Sequence, residues 1–213
     1  MRIENEIYFA PGIKFTDLNW NDPEQLIRAF RQRVVGFYLD QANLFIETWN
    51  ENINVVRERE ELSGLAFGCG VICSTAIDFL AGIEFFPSQD IGDRNKKWLN
   101  RWVSPFQDTD PQNPRQSISA RFYYEFRNGL IHEGRIKNAG QFSFDSELFA
   151  HNGLYEIIDE AMVVNPGALL NSIASGLENY LRESLEDEFL LQKFRCTLIQ
   201  VFSSDVDHIR KHG

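Results

Sequence analysis

Arg127-Asn128-Gly129-Leu130-Ile131-His132 is the stretch of this chain with the most chemistry to offer. Arginine carries a permanent planar cation whose fork of N–H donors fits a phosphate. Histidine is the one side chain whose unperturbed pKa, about 6.5, lets it both take and give a proton near neutral pH. Together they have the means to cut RNA. His132 would take the proton from a ribose 2′-hydroxyl or protonate the leaving 5′-oxygen, and Arg127 would neutralise the charge that builds on the phosphate. Asn128 would orient the phosphate or the histidine by hydrogen bonding.

Positioning falls to a helix expected over residues 117–132. Ile118, Phe122, Phe126 and Gly129 line an apolar face, while Arg121, Glu125, Asn128 and His132 form a wholly polar stripe that suits solvent, a cleft or a partner. Five residues on an ideal α-helix turn roughly 500°, which leaves Arg127 and His132 about 140° apart. Either the helix loosens at Gly129, or Arg127 meets a histidine from a second chain. A purely structural alternative stands beside this reading: Arg127 pairs with a carboxylate, and His132 sits near a helix C-terminus, where its cation suits the dipole.

The remaining elements are set by pattern. Residues 6–15 read as extended chain, with a short hairpin at Pro11-Gly12. Asp22-Pro23 is an N-cap followed by a first-turn proline, opening a helix over 23–50 with Leu26, Phe30, Val34, Phe37, Ala42, Phe45 and Trp49 at helical spacing. The charged residues 57–61 precede a second helix, 63–83. Its Gly64, Gly68, Gly70 and Ser74 admit a close neighbour, at a cost in helix propensity that packing must offset. That helix is mostly apolar, but its uncharged part, 64–77, is short for a bilayer span, so it reads as a buried central helix. Residues 85–116 hold four prolines and read as an inserted connection around a short helix at 94–102. Strand-like pattern then appears at 141–145, 154–158 and 162–164, with Asn152-Gly153 as the hairpin turn. Asn165-Pro166-Gly167 opens a helix to 185, and a last helix spans 188–211.

Tyr123-Tyr124-Glu125-Phe126-Arg127-Asn128-Gly129-Leu130-Ile131-His132 resembles the signature of the HEPN superfamily. These are small helical bundles, many of them metal-independent ribonucleases, with an arginine, a polar residue next and a histidine four to six positions beyond the arginine. Arg127, Asn128 and His132 fill the three places. Ser74-Thr75-Ala76-Ile77-Asp78 resembles the helix that carries an acidic residue facing the motif, with aspartate here in place of the more usual glutamate. The resemblance implies a mainly α fold, a HEPN-like bundle in a single domain over 1–213. Its helical core covers about 23–135 and 167–212, and a small β-hairpin is inserted at about 141–165. It also implies Arg127 and His132 as catalytic residues, Asn128 and Asp78 as orienting residues, no cofactor and no metal. The partners it implies are a homodimer through the motif helix, RNA as substrate, and an antitoxin or other protein partner in a toxin or anti-phage system. The rival from the same resemblance is a non-catalytic module that binds a nucleotide or a protein.

Composition bounds these readings. With 43% apolar residues and 18 phenylalanines among 213, the chain can bury a single sizeable core. Its net charge of -10 is the wrong sign for a bulk nucleic-acid binder, so any RNA grip must be local. The local source is Arg115, Arg121, Arg127, Arg135 and Lys137, set against Glu125 and Glu133. Cys69, Cys73 and Cys196, odd in number and in apolar segments, read as buried free thiols of a cytoplasmic protein. The N-terminus lacks the apolar core of a signal peptide, and no membrane partner is expected.

Overall fold

The computed structural model describes residues 2–3, 6–56 and 64–212, and the charged stretch 57–61 lies outside them. The chain is mainly helical. Strands β1 (Arg2–Ile3), β2 (Glu6–Ala10) and β3 (Ile13–Lys14) form an antiparallel sheet that turns at Pro11-Gly12, as the sequence suggests. Asp22 caps α1 (Pro23–Val34) by accepting from the Gln25 N–H at 3.0 Å. The helix then passes through a wide π turn, Val35–Leu39, into α2 (Asp40–Val56), so the first long helix outlasts its expected end.

Helix α3 (Gly64–Glu84) lies at the centre and packs against α2, α4 (Ile91–Trp102) and α6 (Pro166–Glu186). Among the described residues it is the one helix long and apolar enough to cross a membrane, yet Cys69, Cys73, Ala76, Ile77 and Leu80 are buried within the fold. Close approach at Gly70 is real: a Cβ there would meet the Phe142 ring at 2.3 Å. The segment read as an inserted connection is part of the core instead. Trp98 and Leu99 of α4 and the following Phe106 are almost fully buried, and the short hairpin β4 (Thr109–Asp110) and β5 (Asn113–Ser117) leads into the motif helix.

The second sheet departs from expectation. Its hairpin joins β7 (Tyr155–Ile158) to β8 (Ala161–Val164) through Asp159 and Glu160, both at positive φ, while β6 (Gln141–Phe142) pairs with β8 in parallel. Asn152-Gly153 is not the hairpin turn. The Asn152 side chain instead accepts from the N–H groups of Leu154 and Tyr155, launching β7. Asn165 caps α6, as its position before Pro166 suggests. The final helix breaks at buried Phe202 into α7 (Glu188–Val201) and α8 (Ser203–His212). Cys69 and Cys73 are buried free thiols, whereas Cys196 is exposed, because it falls on the outer side of α7.

Candidate functional site

Ser117 caps the motif helix by accepting from the Ala120 N–H, and α5 (Ile118–Phe122) begins there. Ile118, Phe122 and Phe126 are fully buried, and Phe122 and Phe126 stack with centroids 5.0 Å apart. Beyond Phe122 the helix widens into two π turns, Tyr123–Arg127 and Gly129–Glu133. The Asn128 N–H bonds to the Tyr123 carbonyl and the Gly134 N–H to the Gly129 carbonyl, each five residues back. In such turns five residues make little more than one full rotation. The angle between Arg127 and His132 about the helix axis is therefore smaller than on an ideal α-helix, and the loosening anticipated at Gly129 runs from Gly129 to Glu133.

The backbone that packs against Gly129 leaves room for no side chain there. Gly134, at φ 66, ends the helix in the left-handed region, and the chain folds back along the widened turn. The Arg135 N–H reaches the Gly129 carbonyl at 3.3 Å and the Lys137 N–H reaches the Glu125 carbonyl at 2.9 Å. A Cβ on Gly129 would stand 2.3 Å from the Arg135 carbonyl oxygen, so no larger residue fits without moving backbone.

Arg127 is buried, and its Nε donates to Asp78 of α3 at 2.6 Å. One Nη1 hydrogen goes to the Asn128 Oδ1 at 3.2 Å, and the guanidinium lies 5.7 Å from the centre of the Tyr123 ring. Three of its five N–H donors thus have no partner among the described residues. Asn95 of α4 donates to the other Asp78 oxygen at 2.8 Å, so the aspartate bridges α4 and the motif helix. His132 is exposed and forms no hydrogen bond or ion pair with any described residue. The fold brings together Asp78, Arg127 and Asn128, and leaves His132 exposed one wide turn away.

Asn95 is the member of this cluster that sequence reasoning missed. It is buried beside Trp98 and Leu99 on the inner face of α4. A polar residue in an apolar stripe was the available signal, since a buried amide needs a partner.

The polar stripe is not the continuous accessible face that its spacing suggests. Arg121 and Glu125 are buried, joined at 3.0 Å, and Arg121 also bonds to Asp110 at 3.2 Å, Gln112 at 2.7 Å and the Glu160 carbonyl at 2.5 Å. Arg121 is a staple between three chain segments and is not free to grip a ligand phosphate. Arg135 and Lys137 both pair with Glu133, at 2.7 and 2.8 Å. The Lys137 bond, with the Arg135 charge behind it, holds the Glu133 carboxyl below its ordinary value. Lys137 also lies 4.5 Å over the Tyr124 ring. Of the local cations, Arg115 alone is exposed without a side-chain partner among the described residues.

In comparisons with known proteins, the chain matches no family model, no curated protein and no solved structure. The resemblance to HEPN proteins therefore rests on the motif and its upstream acid.

Proposed function

We propose that this protein is a metal-independent endoribonuclease of HEPN type, built on a HEPN-like helical bundle. The observation that carries the reading is the cluster itself. Arg127 is held by Asp78 and Asn128 with three N–H donors to spare among the described residues, one widened turn from an exposed His132 that no described residue pairs with. An arginine fixed by a carboxylate keeps a defined direction while its remaining donors meet a phosphate bidentately. His132 acts as general base on the 2′-hydroxyl, or as general acid on the 5′-oxygen, and the products carry a 2′,3′-cyclic phosphate and a 5′-hydroxyl.

The working form is a homodimer through the motif helix, placing two arginines and two histidines in one groove. Tyr124 and Ile131, 52% and 55% exposed, offer apolar surface for that contact. A cytoplasmic toxin or anti-phage effector held in check by a protein partner is the setting that fits such chemistry. The test is RNA cleavage by purified protein in a chelating buffer. Arg127→Ala and His132→Ala should each abolish it, and unchanged cleavage in both variants would sink the assignment.

A second reading, a non-catalytic module that binds a nucleotide or a protein, is favoured by charge. The chain carries -10 overall, and Arg121, Arg135 and Lys137 are committed to carboxylates. Saturable nucleotide binding without any cleavage would select it.

A further inference from the structure

A polar cleft of about 530 Å³ opens beside the motif helix, between the β4–β5 hairpin and the β7–β8 turn. At its base lies the buried trio Asp110, Arg121 and Glu125, each about 4% exposed. Two carboxyl groups face one guanidinium there, so acid outnumbers base at the bottom of the cleft. Glu125 Oε1 accepts from Arg121 and from the Asn138 side-chain amide, both at 3.0 Å. Glu125 Oε2 is buried with no hydrogen-bond partner among the described residues. An orphaned carboxylate oxygen costs several times what an ordinary hydrogen bond contributes, unless something meets it. The rim adds Asp159 and Glu160, so four carboxylates surround the cleft against the single Arg121.

We propose that this cleft binds a small organic cation that donates N–H to Glu125 Oε2, an ammonium or guanidinium compound of the polyamine class. Anionic ligands are repelled by the carboxylates. Among the described residues no three His, Cys, Asp or Glu side chains gather closely enough to chelate a metal ion. The cation that suits the cleft therefore brings its own donors: one N–H for the orphaned oxygen, and a chain whose second charge lies near Asp159 and Glu160. The site stands apart from Arg127 and His132 and does not depend on the ribonuclease reading.

Titration calorimetry of the full chain with agmatine tests this, with tetramethylammonium as a cation that has no N–H. Agmatine should bind at one site and tetramethylammonium should not. Glu125→Gln should weaken agmatine roughly tenfold to a hundredfold, the range for one charge-assisted hydrogen bond. Asp159→Asn sits on an exposed turn whose left-handed backbone asparagine tolerates, so it should fold even where Glu125→Gln does not. It should weaken agmatine several-fold. Absence of agmatine binding, equal binding of tetramethylammonium, or unchanged affinity in the folded variants would overturn the proposal and leave Oε2 to water.

Discussion

Replacing Asp78 with asparagine tests the most consequential contact in the molecule. The Arg127–Asp78 pair is short, 2.6 Å, and its side chains are only 11% and 19% exposed. Breaking a buried pair by removing one charge typically costs about 3–5 kcal/mol, because the other charge is left uncompensated. Here Arg127 keeps Asn128 and some access to solvent, and an asparagine at 78 can still accept from Asn95, which argues for a smaller cost, about 2–3 kcal/mol. For a chain of this size, about 2–4 °C per kcal/mol predicts a fall in Tm of roughly 5–10 °C. Thermal and urea unfolding of wild type, Asp78→Asn, Arg127→Gln and the double variant would give the coupling directly. The double variant should lose less than the sum of the two single losses. In a cleavage assay Asp78→Asn should also lower the rate, by up to about a hundredfold for a displacement of about 1 Å of the guanidinium. A Tm within about 1 °C of wild type, or losses that simply add, would refute the view that Asp78 holds Arg127 in place.

Three further outcomes rest on particular contacts. Gly129→Ala should destabilise the fold by about 1–3 kcal/mol, as overpacking does, because the new methyl meets the Arg135 carbonyl; urea midpoints check this. The Tyr155 hydroxyl, pushed up to about 12 by burial and by Asp108 beside it, is a raised group. Its contribution is therefore complete below the unfolded phenol value near 10 and is lost as pH rises through about 12, so Tyr155→Phe should flatten the alkaline loss of stability in pH-dependent melts. If the proposed homodimer forms through the motif helix, Ile131→Asp should turn it into a folded monomer in sedimentation, since that side chain is 55% exposed and its charge would be buried only in the dimer.

Much of the helical frame was legible because its signals are local. Asp22-Pro23 and Asn165-Pro166 cap helices where their chemistry says they should, and Leu26, Phe30 and Val34, like Ile118, Phe122 and Phe126, bury the faces their spacing marks out. The misreadings came from partners far along the chain. Arg121 and Glu125 look like solvent-facing polar residues until Asp110 and the Glu160 carbonyl arrive to bury them. Asn152-Gly153 has the composition of a hairpin turn, but the strands register through Asp159 and Glu160, and no local preference puts β6 beside β8. The π turns were invisible to a 3.6-residue period, although Gly129 marked where the second of them begins. At the candidate site, Arg127, Asn128 and the acid at 78 were each legible by type, and their convergence came from the packing of α3 against the motif helix.

The proposed reaction is cleavage of RNA by attack of its own 2′-hydroxyl, run by Arg127 and His132. Mass analysis of the RNA ends left by the purified protein in chelating buffer addresses it most directly. Fragments should end in 2′,3′-cyclic phosphate, paired with 5′-hydroxyl ends, and the His132→Ala protein should give none. RNA left intact by the wild type, or fragments ending in a 3′-hydroxyl, would contradict it.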